Sequence, residues 1–131
     1  KFRVWCKQYE EFIQFNKMGF LEDGSLWYVQ GVDENEEEIN PPYFENQNDW
    51  ELMQYTGLKD KNGVEIYEGD ILFHPLQGRR KVFYPYSETV ASYGLRDIDN
   101  GFGSTLQDSH AIWEVIGNIY ENKELLEREA E

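Results

Sequence analysis

The sequence predicts a mainly β fold, and three observations carry that prediction. Aromatic residues make up 16% of the chain, from nine Tyr, eight Phe and four Trp, a composition that suits pleated surfaces better than helices. Turn signals recur between short apolar runs, at Asp23-Gly24, Asn62-Gly63 and Asn100-Gly101. The stretch from Leu52 to Leu72 reads as a hairpin followed at once by a sharp bend, which is how small β-barrels turn corners. The expected architecture is a β-rich N-terminal part, a small bent, SH3-like barrel in the second half, and a short C-terminal helix. An α+β arrangement is the alternative.

At 131 residues the chain is long enough for one domain with a real core, and it divides most naturally into subdomains 1–50 and 51–131. From Lys1 to Val32, aromatics alternate or cluster, with turn signals at Asn16 to Gly19 and at Asp23-Gly24, so two or three strands are expected. A helix over Gln8 to Phe15 is the competing reading. The near-continuous acidic run Asp33 to Glu38, followed by Asn40-Pro41-Pro42, reads as a loop and as the best internal boundary, because proline excludes helix and breaks sheet pairing.

The central hairpin has two candidate registers. A two-residue turn at Asn62-Gly63 sets Asp60 against Glu65, a like-charge clash. A type I turn on Lys61-Asn62, with Gly63 left-handed, pairs Lys59 with Glu65 and Leu58 with Ile66 instead, and is preferred by ~0.2 to 1 kcal/mol per cross-strand pair. Glu68-Gly69-Asp70 then bends the chain, with glycine supplying the unusual backbone angles and Asp70 accepting local amides, before Ile71-Leu72-Phe73 restarts the strand. Val82, Tyr84 and Tyr86 alternate as a strand does, and Asn100-Gly101 and Gly103 mark turns. Ile112 to Ile116 is a last strand with Gly117-Asn118 as its turn, and Asn122 caps a short helix that frays beyond Glu127.

Three blocks of this sequence resemble the YopX family of small proteins encoded by bacteriophages and prophages. They are Lys1-Phe2-Arg3 with Trp5; Met53 to Leu58 running through Asp60-Lys61-Asn62-Gly63 to Ile66-Tyr67-Glu68-Gly69-Asp70-Ile71; and Gly117 to Asn122 followed by Leu125-Leu126. Cys6 departs from the family pattern where an acidic residue is expected, and Lys123 departs where proline is common. Phe73 to Ala111 follows no recognised pattern. The resemblance implies a phage or prophage origin, an intracellular host setting and a mostly β fold. It carries over no catalytic residues.

Composition narrows the function classes. A net charge of −14 argues against binding a phosphate backbone, which needs clustered Lys and Arg, and the single cluster Arg79-Arg80-Lys81 reads as a solvated strand start. One cysteine, Cys6, makes no internal disulfide and reads as a buried apolar residue in a reducing cytosol. Neither a membrane-spanning run nor a signal peptide is visible, so a cytoplasmic protein is expected.

Each candidate for chemistry has a structural reading that explains it with less. His74 and His110 lack metal-ligand spacing. Asp33, Asn35 and Glu37 alternate like a calcium loop, but Glu38 stands where that loop needs glycine. Asp97 and Asp99 read as turn caps; Gly101 and Gly103 lack the lysine and helix of a phosphate loop; Ser104 and Ser109 lack a nucleophile elbow. Glu68 and Asp70 are the carboxylate pair to watch, and the bend already accounts for both. Tyr84, Tyr86, Tyr93 and Phe102 read more readily as core than as an exposed platform. The sequence therefore assigns no catalytic, cofactor or metal residues. It favours a non-catalytic module that binds a host or phage protein, with an acidic DNA mimic and an unrecognised enzyme using Glu68 and Asp70 as alternatives. Self-association through open edge strands is a further expectation.

Overall fold

The computed structural model describes residues 1–7, 9–39 and 50–127. The expected loop and boundary at Asn40-Pro41-Pro42 and the tail beyond Glu127 lie outside them. The fold is mainly β, with strands β1 (Phe2–Cys6), β2 (Glu11–Ile13), β3 (Phe15–Phe20), β4 (Leu26–Gly31), β5 (Trp50–Lys59), β6 (Glu65–Tyr67), β7 (Asp70–His74), β8 (Gly78–Phe83), β9 (Gly94–Asp97), β10 (Gly103–Thr105) and β11 (Glu114–Asn118). The chain forms two compact units, Phe2–Met53 and Gln54 onward, the second also taking in Lys1.

In the first unit β1 and β2 pair antiparallel, Val4 with Ile13 and Cys6 with Glu11. The helical reading of Gln8 to Phe15 therefore fails at Glu11–Ile13. Trp5 packs edge-on against Phe12, with ring centroids 5.0 Å apart. Val4, Trp5, Cys6 and Val29 are buried here, as expected of Cys6. The turn expected at Asn16 to Gly19 is instead the middle of β3. Gly19 pairs with Tyr28 of β4, and the Tyr28 ring lies where a Cβ of residue 19 would stand, so this glycine serves a close approach and not a turn. The real turn is at Asp23-Gly24, where Gly24 has φ +87° and Asp23 Oδ1 accepts the Ser25 amide at 2.9 Å.

The second unit is built on a five-stranded antiparallel sheet, order β10-β9-β8-β7-β11, curled as a half-barrel. Its inner face carries the core: Ile66, Leu72, Val82, Leu95, Leu106 and Trp113 are all fully buried. The hairpin β5–β6 sets Lys59 opposite Glu65, as preferred, with Gly63 at φ +81°, but the expected Leu58–Ile66 pair is not part of the ladder. A feature not foreseen is the irregularity behind it. Gly57 is also left-handed, at φ +84°, and the ladder slips between Tyr55 and Lys59, so that the Thr56 hydroxyl donates to the Ile66 carbonyl at 2.8 Å. The bend at Glu68-Gly69-Asp70 is as expected: Gly69 has φ +87° and Asp70 Oδ2 accepts the Tyr67 amide at 2.8 Å.

Three boundaries move. β8 ends at Phe83, so Tyr84 and Tyr86 lie outside it; the proline at 85 cannot donate to a ladder. Gly103 opens β10, and Gly117-Asn118 closes β11 with a bulge after Val115. Gly117 is small because a Cβ there would run into the Asn122 side chain and come within 2.9 Å of Leu125 Cδ1. The expected C-terminal helix is one 3₁₀ turn, Lys123–Leu126, and Asn122 does not cap it, because its Oδ1 accepts the Asn118 amide at 3.1 Å.

Candidate functional site

The second unit places its functional candidates on the outer face of the sheet and at one end of it. Side chains alternate along β8, so Val82 and Arg80 face inward while Arg79, Lys81 and Phe83 face outward. Arg80 lies over the Trp113 ring at 5.2 Å and donates to Ser104 Oγ at 2.6 Å, with Asp97 Oδ2 3.9 Å away. The basic run is thus not a solvated strand start: Arg80 is a core-facing residue, split from its neighbours by the pleat. Arg79 donates to the Glu127 carbonyl at 2.6 Å.

Lys81 stands directly opposite Arg96 of β9. The Arg96 guanidinium lies 4.5 Å from the Phe83 ring centroid, and the Phe83 and Tyr86 rings close over Gly94, where a Cβ would come within 2.6 Å of Phe83. Lys81, Arg96, Ile98, Gly101 and Leu126 line an open hollow of about 300 Å³, with Asp97, Asp99 and Asn100 completing its wall. The turn beside it is tied internally. Asp97 Oδ1 accepts the Asp99 and Asn100 amides at 2.9 and 3.1 Å, and Asn100 Oδ1 accepts the Phe102 amide at 2.8 Å.

The β7–β8 and β9–β10 turns lie at the same end of the sheet, since Gly78 opens β8 and the Ile98 amide donates to the Arg79 carbonyl. Leu76 is 91% exposed on the first turn and Phe102 74% exposed on the second. The aromatic candidates therefore divide. Phe102 is solvent-facing, contrary to the core reading; Tyr84 is exposed on one edge; Tyr86 and Tyr93 are half-buried. The Tyr84 and Tyr93 rings sit 5.0 Å apart, and burial, then the charge of Glu68 and the neighbouring Tyr84, push the Tyr93 phenol above its ordinary pKa.

The remaining candidates hold backbone. His74 Nδ1 accepts the Leu76 amide at 3.1 Å, its ring 5.6 Å from that of Trp113, while His110 Nδ1 meets the Lys59 carbonyl at 2.7 Å. Ser109 Oγ accepts the Trp113 indole N–H at 3.1 Å. Asp33 Oδ1 accepts the amides of Asn35 and Glu37, closing a turn where a calcium ligand would have to point inward. Glu38 pairs with Lys17 at 3.0 Å. Among the described residues no group of His, Cys, Asp and Glu could hold a metal ion. Asp70 is buried at the bend, whereas the charge of Glu68 acts on Tyr93.

Sequence reasoning missed Asp60. Its carboxylate is buried and accepts the amides of Asn62 at 2.8 Å, Val64 at 2.9 Å and, from β11, Val115 at 2.9 Å. Burial works to raise its pKa, but the Val115, Val64 and Asn62 amides and the charge of Lys61 outweigh it, so the carboxyl lies below its ordinary value. The signal in the sequence was an aspartate two residues before Asn62-Gly63, an Asx-turn position.

These features define a mainly β, two-unit protein whose conspicuous polar residues are largely engaged in holding turns. The sequence model of the YopX protein family matches residues 1–127, and the chain belongs to that family. Its fold is similar to the crystal structure of protein EF1440 from Enterococcus faecalis, at 29% identity and a TM-score of 0.67, covering 97% of both chains. It is similar as well to protein yopX from Bacillus subtilis, at 19% identity and a TM-score of 0.61, over 98% of this chain and 97% of that one. No functionally curated protein matches. No helix among the described residues is long and apolar enough to cross a membrane.

Proposed function

We propose that this chain is a phage- or prophage-encoded, non-catalytic module that binds a host or phage protein in the bacterial cytoplasm. The observation that carries the reading is the exposure of Leu76 and Phe102, 91% and 74%, on two turns at the same end of the sheet. Single exposed apolar residues are ordinary, but two large ones presented on turns at the same end of one sheet form the kind of anchor a partner desolvates. Support for the non-catalytic part comes from the carboxylate pair itself: Asp70 takes a backbone amide inside the bend, an arrangement that serves architecture. The DNA-mimic alternative rests on the net charge of −14 alone.

The test is affinity capture from host cells during phage growth, with the wild-type chain and the double variant Leu76→Asp/Phe102→Asp. A partner recovered by the wild type and lost by the folded variant supports the reading. Recovery of the same proteins by both, or of none by the wild type, rejects it.

A further inference from the structure

We propose that the hollow beside Lys81 and Arg96 is a binding site for a compact, multiply charged oxyanion, a phosphate- or carboxylate-bearing small molecule. This site borders the turn that carries Phe102 but is lined by neither Leu76 nor Phe102, and it stands whether or not those residues bind a protein. The argument begins with charge placement. Lys81 and Arg96 are direct cross-strand partners on the outer face of β8 and β9, and like charges so placed repel and destabilise the ladder. A chain with 26 Asp and Glu against 12 Lys and Arg has carboxylates to spare for such a pair. Three lysines do use them: Lys1 lies 2.8 Å from Glu65, Lys7 2.8 Å from Glu51 and Lys17 3.0 Å from Glu38. Among the described residues neither Lys81 nor Arg96 has a carboxylate within ion-pair distance.

The two cations are also positioned. Arg96 is held by the Phe83 face, which orients a guanidinium without occupying its N–H donors, and Gly94 lets Phe83 lie flat against the strand. Both side chains open on the same hollow of about 300 Å³, large enough for a phosphate or a small polycarboxylate. The turn amides at Asp99, Asn100 and Phe102 are already engaged by Asp97 and Asn100, so the ligand's hydrogen bonds must come from the two side chains. Asp97 is turned to those amides and toward Arg80, and Asp99 at the rim is the opposing charge. A nucleic-acid backbone is disfavoured, because a long polyanion would have to approach a chain of net charge −14, whereas a compact anion meets only the local field.

The experiment titrates the full-length ¹⁵N-labelled chain at low ionic strength with inorganic pyrophosphate, with citrate and with a twelve-nucleotide oligothymidylate. The expected result is saturable shifts of the Arg96 Nε–H and the Gly101 amide with pyrophosphate or citrate, the tighter of the two assigning phosphate or carboxylate. Lys81→Gln/Arg96→Gln should weaken binding about tenfold or more, while Lys7→Gln/Lys17→Gln leaves it unchanged and Asp99→Asn tightens it. A second readout protects against a misfolded variant: without ligand, Lys81→Gln alone should melt no lower than the wild type because the repulsion is relieved, and pyrophosphate or citrate should raise the melting temperature of the wild type only. Absence of saturable shifts with both small anions, equal binding by the double variant, or tighter binding of the oligothymidylate than of either overturns the proposal.

Discussion

In each unit a hairpin turns on an aspartate whose Oδ1 accepts the amides two and four residues further on: Asn35 and Glu37 for Asp33, Asn62 and Val64 for Asp60. The backbone frames are the same. Asp33 donates to the Glu37 carbonyl and Glu36 to that of Asp33, just as Asp60 donates to Val64 and Gly63 to Asp60. The surroundings differ. Asp33 is exposed and its turn places a non-glycine residue, Glu36, at φ +63°, whereas Asp60 is buried, its turn uses Gly63 at φ +81°, and its second oxygen reaches across to Val115. One local motif is therefore a surface turn in the first unit and a junction between β11 and the β5–β6 hairpin in the second. The energy of a hydrogen-bonded carboxylate depends less on how many amides it meets locally than on whether those amides can reach water when it is removed.

The largest expected effect breaks the comparison at the carboxylates. Asp60→Ala removes the acceptor of the half-buried Val115 amide on β11 and unties the hairpin, and should cost roughly 2 to 3 kcal/mol in urea denaturation, against roughly 0.5 to 1 kcal/mol for Asp33→Ala, whose amides rehydrate. Equal losses would mean that the Val115 contact adds nothing.

Acid titration sharpens the same contrast. The folded-state pKa of Asp60 is depressed, so its stabilising contribution is present above the unfolded value of about 3.9 and disappears as pH falls through the lower folded value. Asp60→Asn should remove that part of the acid dependence, so its stability curve falls less steeply below about pH 4 than the wild type's. A curve with unchanged steepness there would assign the acid transition to other carboxylates.

The smallest effect concerns the left-handed residue. Glu36→Gly should raise stability by about 0.5 to 1 kcal/mol by removing the cost of a side chain at positive φ, and Gly63→Ala should lower it by about 1 to 2 kcal/mol. Melting curves that show Glu36→Gly to be destabilising would indicate that the Glu36 side chain has a role beyond the turn.

The central segment was legible because its instructions are local. Lys59, Glu65 and Gly63 specify the register through charge pairing and a left-handed glycine, and Gly69 specifies the bend, with no help from distant residues. Glycines misled the reading where their reason was not local. Gly19 and Gly117 carry the same letter as Gly63, yet they are small because Tyr28 of the paired strand approaches the first and Asn122 and Leu125 of the following turns approach the second. Asn122 likewise satisfies every local rule for a helix cap, but its side chain serves Asn118.

By itself the sequence determined the mainly β class, the central hairpin and its bend, and the family, since each rests on neighbours along the chain or on a pattern of residues. Tertiary structure alone decided that Asp60 anchors β11, that Arg80 faces the core while Lys81 faces Arg96, and that Leu76 and Phe102 are exposed at the same end of one sheet. Those facts depend on which strands pair and which face of the pleat each residue occupies, and such pairings come from long-range burial that a linear reading does not contain.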